Sequence, residues 1–243
     1  METLLGKIKE KGYWKVVIRP TEFSEKRIVS KEDAEKIITD SKIVLRGWDY
    51  PHIDYPNGIV RSGLDSIASS VDWKEGSKFE FWKFYLNGQF VHYFAMREDY
   101  EMDEEQKKKA RQSFVFSKLD ENTDRFFSVL NTLYSVTEIY LFASKLAKQG
   151  NFGEKMEIVI ELGNTKGRTL FFWGNTFREL FNANTCAYEP IVNERVLKTE
   201  ELIKNPGSFA LDVTIDIFKE FNWRDPNKNV FLEDQIKFMG GRI

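Results

Sequence analysis

Cysteine and histidine are nearly missing from this chain. One cysteine, Cys186, and two histidines, His52 and His92, stand among 243 residues. A single thiol closes no internal disulfide and builds no cysteine-based zinc centre, and two imidazoles exclude a multi-histidine metal site. His52 and His92 would need a carboxylate to share a metal, and nothing in their spacing asks for one. Asn-x-Ser/Thr acceptors are absent. The leading Met1-Glu2-Thr3-Leu4-Leu5-Gly6-Lys7 lacks an apolar run of signal-peptide length. The most apolar stretch, Phe126 to Leu146, is interrupted by Asn131, Thr132, Ser135, Thr137 and Glu138, so no membrane span is expected. These absences together point to a cytoplasmic chain that does not contact a membrane.

Charge of one sign is lacking too. Lys+Arg number 36 against 38 Asp+Glu, a net charge of −2. That excludes the basic face that sequence-independent nucleic-acid binding by the whole chain would need, and leaves only a local patch open. Gly163-x-x-x-Gly167 has no Lys-Ser/Thr after it, and no G-x-G-x-x-G follows a strand. A nucleophile elbow, an H-E-x-x-H pair and an EF-hand loop are also missing. No catalytic residue, metal or cofactor is therefore assigned.

What the chain has in quantity is aromatic residues, 15 %, with 21 Phe. Phenylalanine is core filling first, so an ample core is expected. Tyr13 to Arg19 reads as a strand ending at Pro20, and Ser30 opens a helix from Lys31 to about Asp40 with Ala34, Ile37 and Ile38 on one face. Lys78 to Leu86 and Gln89 to Met96 flank Asn87-Gly88, which predicts a hairpin with a two-residue type I′ turn. That turn would set Trp82 opposite Tyr93, Phe81 opposite Phe94 and Lys83 opposite His92. Residues 97–112 run from acidic to basic, as an exposed short helix would, and 97–120 is the candidate boundary between two lobes of a single domain. The longest helix is predicted over about Asn122 to Gln149. Lys155 to Leu162 alternates as a strand, with Thr169 to Trp173 as its expected antiparallel partner. Helices are expected over Ser208 to Phe221 and Val230 to Met239. The fold class is α+β: a mixed or mainly antiparallel sheet with a central aromatic hairpin, packed against a long helix and C-terminal helices.

Arg46-Gly47-Trp48-Asp49-Tyr50-Pro51-His52 is the densest collection of recognition-type side chains in the chain. It can serve in two ways. As a structural corner, Gly47 bends the chain, Trp48 and Tyr50 plug the core edge, Asp49 caps a turn and Arg46 pairs with a carboxylate. As a recognition loop, Arg46 contacts a phosphate or carboxylate, Trp48 or Tyr50 stacks on a planar ligand, and Asp49 and His52 supply polar or acid–base contacts. Arg61, in the loop that follows, joins this candidate ligand-binding set. No nucleophile stands nearby, which favours binding over covalent chemistry. Glu157 and Glu161 share one face of a strand and fit a surface face better than a nuclease site. His92 fits a strand histidine bonded to a neighbour.

The segments Tyr13-Trp14-Lys15-Val16-Val17-Ile18-Arg19-Pro20-Thr21-Glu22-Phe23 and Leu45 to His52, with Asn87-Gly88-Gln89-Phe90, resemble an uncharacterised bacterial family. It is the C-terminal region found behind Schlafen/AlbA-type DNA-binding domains. The resemblance covers the first 100 residues or so and carries no catalytic residue with it. The family-like part begins near residue 12, leaving no room for the preceding DNA-binding domain. It implies a sensor or regulatory module in bacterial stress or phage defence. The function expected is a non-enzymatic cytosolic binding or regulatory module with a protein partner or a nucleotide-like ligand. The alternative is a nucleic-acid- or nucleotide-processing enzyme using Asp49, His52 and nearby acidic residues. An oligomer built on exposed aromatics is a third arrangement.

Overall fold

The computed structural model describes residues 3–53, 58–73, 78–149, 152–173 and 178–241. Thr3 caps a short helix, α1 (Leu4–Glu10), and β1 (Tyr13–Pro20) follows with Trp14, Val16 and Ile18 buried on one side. Ser30 accepts a hydrogen bond from the Asp33 N–H and starts α2 (Lys31–Ser41), which buries Ala34, Ile37 and Ile38. β2 (Ile43–Val44) and β3 (Asp49–Tyr50) pair antiparallel around the tip formed by residues 45–48. Next come β4 (Val60–Arg61), β5 (Ser66–Asp72), β6 (Phe79–Tyr85) and β7 (Phe90–Ala95). The charged segment forms α3 (Glu98–Glu101) and α4 (Glu104–Gln112), the latter opened by a capping box between Asp103 and Gln106. β8 (Phe126–Ser128) leads into the long α5 (Val129–Lys148), and β9 (Lys155–Gly163), β10 (Thr169–Phe171) and β11 (Ile191–Lys198) follow. α6 (Thr199–Lys204), α7 (Pro206–Glu220) and α8 (Lys228–Met239) close the described chain.

The architecture is α+β. Seven strands run in the order β11-β9-β1-β7-β6-β5-β4, every neighbouring pair antiparallel. Strand alternation gives the sheet one apolar face, where Trp14, Val16, Ile18, Trp82, Phe84, Phe90, Ile158 and Ile160 are all buried. The core lies between this face and α5, which also packs against α2, α6, α7 and α8. α1 lies against β6 and β7, and ion pairs from Lys15 to Glu161 and from Arg19 to Glu157 join β1 to β9. Both carboxylates of the alternating Glu157/Glu161 pair are thus matched by strand neighbours. Among the described residues, no helix is long and apolar enough to cross a membrane.

Three local expectations are corrected. The hairpin pairs Trp82 with His92, Phe81 with Tyr93 and Glu80 with Phe94, one residue out of the register a type I′ turn would set. Tyr85 donates its N–H to the Gln89 carbonyl and Gly88 donates to Tyr85, leaving a three-residue loop with Gly88 at φ +90°. The reason is parity. Paired residues share a sheet face, so the buried set Glu80, Trp82 and Phe84 must meet Phe90 and His92, not Tyr93. Second, α5 begins after Ser128, whose hydroxyl accepts from the Asn131 N–H; residues 126–128 are extended and pair in parallel with β10. Third, β10 does not pair with β9, because β1 and β11 already occupy both edges of that strand. Arg168 directs the turn elsewhere: its buried guanidinium binds Asp99 and the carbonyls of Phe126 and Asn164. The sequence also predicts a helical turn around Phe177 to Phe181; residues 174–177 lie outside the described residues, and 178–181 are not helical.

Candidate functional site

The turn between β2 and β3 is aimed at the start of α5. Gly47, at φ +81°, adopts the left-handed conformation that lets Arg46 and Trp48 project from a four-residue tip. Arg46 reaches α5, where its Nε lies 3.1 Å from a Glu138 oxygen that Nη2 also contacts. Its Nη1 donates to Asn131 Oδ1 at 2.6 Å, and Nη2 donates to Ser135 Oγ at 3.2 Å. Residues 131, 135 and 138 fall on one helix face by the i, i+4, i+7 rule. Glu138 is wholly buried and Arg46 nearly so, so each charge depends on the other for its solvation.

Tyr50 faces the core. Its ring meets His92, Phe94 and Phe142, and its hydroxyl lies 3.2 Å from His92 Nδ1. Burial, reinforced by the nearby Glu80 and Glu138 carboxylates, pushes its phenol well above the ordinary tyrosine value. His92 Nε2 lies 2.9 Å from Glu80 Oε1, but off the direction of a good hydrogen bond, so the contact is mainly one of charge and dipole. Burial alone would raise the Glu80 carboxyl. Lys78 at 3.2 Å, His92 and the His52 N–H at 2.9 Å outweigh it and hold Glu80 far below the usual carboxylate range. The backbone of His52 is held at both ends, since its carbonyl accepts from Trp82 Nε1 at 2.7 Å. The His52 ring stands edge-on to Trp73.

Trp48 is half-buried and surrounded by cations. The Arg97 and Arg46 guanidinium carbons lie 5.2 and 5.5 Å from its ring centroid, and Lys78 Nζ lies 5.6 Å away. Cations at such distances are attracted to the negative face of an indole. Arg97 also approaches Trp173 at 5.7 Å and forms a two-bond fork with Glu101.

These groups line one cavity of about 160 Å³. A single water needs about 10–15 Å³ on such a measure, so the space suits a fused-ring molecule. Trp14, Trp48, Trp73, Phe79, Phe94 and Tyr100 supply aromatic wall, with a few convergent polar groups among them. That is the usual composition of a small-molecule site. Of the residues singled out from the sequence, Arg46, Trp48, Asp49, Tyr50 and His52 all reach this cavity. Arg61 does not; it stands exposed on β4 and pairs with Glu32. Asp49 is engaged by Lys42 at 2.9 Å.

Lys78, Glu80, Arg97, Tyr100, Asn131 and Ser135 are lining residues that local sequence reasoning does not find. They arrive from β6 and the residue before it, from α3 and its N-cap, and from α5, far along the chain. One signal was legible: Asn131, Ser135 and Glu138 interrupt an otherwise apolar helix at the spacing of a single face. Among the described residues, no group of three or more His, Cys, Asp and Glu side chains is placed to hold a metal ion. No protein-family model matches the chain, and neither a curated protein nor a solved structure does.

Proposed function

We propose that this chain is a non-enzymatic cytosolic binding module, a sensor or regulatory subunit, whose cleft receives the planar ring of a small nucleotide-like ligand. The observation that carries this is the convergence of Arg46, Lys78 and Arg97 around the half-buried Trp48 indole, in a cavity walled by further aromatic rings. A flat π-system finds stacking surface there, and its polar edge finds donors. The bacterial family that the N-terminal segments resemble adds a setting, stress response or phage defence, in which such a module would report a small molecule to a protein partner.

The test is calorimetric titration with a panel of nucleobases, nucleosides and nucleotides. At least one is expected to bind wild type. Trp48→Ala should lower that affinity at least tenfold while the melting temperature stays within a few degrees, because the indole is only half-buried. If nothing in the panel binds, or Trp48→Ala binds as wild type does, the proposal fails.

A nucleotide-processing enzyme is the second reading, and one observation favours it. At the cavity wall the buried His92 shares a hydrogen bond with the Tyr50 hydroxyl and has the Glu80 carboxylate beside its other nitrogen, so acid–base groups stand together there. Turnover of a nucleotide by wild type, abolished in a folded His92→Gln variant, would replace the binding module with an enzyme.

A further inference from the structure

The hydrogen-bonding capacity around the cleft is lopsided. Arginine is a donor only, so Asn131 must present its carbonyl oxygen to Arg46, and the Asn131 Nδ2 hydrogens have no acceptor among the described residues. Ser135 likewise accepts from Arg46 through its oxygen and keeps its hydroxyl proton for another partner. Arg97 gives Nε and Nη2 to Glu101 at 2.9 and 2.6 Å, and its Nη1 has no partner among the described residues. Lys78 contacts Glu80 with one ammonium at 3.2 Å and retains donors beyond that contact.

The carboxylates of the wall are already taken. Asp49 is held by Lys42, Glu80 by Lys78, His92 and the His52 N–H, and Glu101 by both nitrogens of the Arg97 fork. What the cleft offers is donors, two of them cationic and close to the same indole. A neutral apolar ring would leave these donors without partners. A ligand that supplies several acceptors would satisfy them.

We infer that the ligand of this cleft carries a phosphoryl group, taken by Arg97 Nη1 and Lys78 Nζ while its ring lies along the aromatic wall, with acceptors on the ring edge facing Asn131 and Ser135. This rests on the binding-module reading. Glu101 is then a positioning residue: its fork fixes the guanidinium so that Nη1 faces the ligand. Planar, forked guanidinium chemistry suits phosphate oxygens, and Lys78 adds a point charge.

The experiment compares adenosine, guanosine, cytidine and uridine with their 5′-monophosphates, with inorganic phosphate alone, and with a planar aromatic carboxylate. Wild type should bind at least one monophosphate ten or more times tighter than its nucleoside. Arg97→Gln should shrink that ratio to about threefold or less, weakening the monophosphate much more than the nucleoside, and Lys78→Gln should act in the same direction should Arg97→Gln fail to fold. Equal binding of nucleoside and monophosphate, or an Arg97→Gln loss shared equally by both, overturns the inference and spares the binding module. An equal gain from the carboxylate overturns the phosphoryl assignment. If no planar ligand binds at all, the binding module itself falls and takes the inference with it.

Discussion

Arg46 and Trp48 are separated by one glycine, and they carry opposite liabilities. Removing the Arg46 side chain leaves Glu138 buried and charged without its partner, a loss of about 3–5 kcal/mol. Thermal melts of Arg46→Ala should show a fall of many degrees, whereas Trp48→Ala should melt near wild type. Glu80 and Glu98 make a second contrast. Each is 4 % exposed, yet their carboxyls shift in opposite directions. Glu80 is surrounded by Lys78, His92 and the His52 N–H and is lowered. Glu98 is raised by burial, which its own N–H, the Ser128 N–H and Arg168 only partly offset, and one of its oxygens has no hydrogen-bond partner among the described residues. The signs follow from linkage. The lowered Glu80 stabilises the fold fully above the ordinary carboxylate range, and that contribution drains as pH falls towards its lower folded value. The raised Glu98 works the other way, since ionising it at neutral pH removes stability that returns as the pH falls into its range. Melting curves taken from neutral to acid pH should therefore show Glu80→Gln less stable than wild type by a margin that narrows in acid. Glu98→Gln should be more stable by a margin that also narrows in acid.

Elements whose register depends on a single local rule were legible from the sequence. β1 stops at its proline, α2 starts at its serine cap, and β9 shows its alternation openly. The hairpin was legible as a hairpin but not in its turn, because Asn87-Gly88 fits two loop types and the choice is made by which residues the sheet face buries. Gly88 holds φ +90° with Pro20 and Arg27 side-chain atoms 3.3 Å from where a Cβ would stand. Gly88→Ala should therefore destabilise by about 1 kcal/mol or more in denaturant titration. β8 and β10 were not legible as partners, since three-residue parallel strands have no periodicity to read and the bond from Arg168, just before β10, to the Phe126 carbonyl of β8 spans 42 residues. The candidate site divides the same way. Its 46–52 arc is contiguous and dense, while Lys78, Arg97 and Asn131 are single residues on separate elements that only the tertiary fold brings to one indole.

At the scale of the molecule, the sheet is stitched across the charged segment. β1 pairs on one side with β7 and on the other with β9, so strands from before and after residues 97–120 join edge to edge in one sheet. The hydrophobic core likewise runs through residues from Trp14 to Phe231. A chain ending at residue 120 keeps the hairpin but loses β9, β11 and α5. It should be recovered as aggregate, while the full chain unfolds in a single calorimetric transition. Independent refolding of the truncated half would contradict this.

The position of β1 also sets a timetable for the ribosome. β7 (Phe90–Ala95) is made well before β9 (Lys155–Gly163), and the gap between them takes on the order of several seconds at ordinary translation speeds. Throughout that interval the nascent chain holds an aromatic-rich sheet with one unsatisfied edge, the kind of surface that chaperones bind and that neighbouring chains can join. In a cell, the yield of this protein should depend on how that interval is guarded.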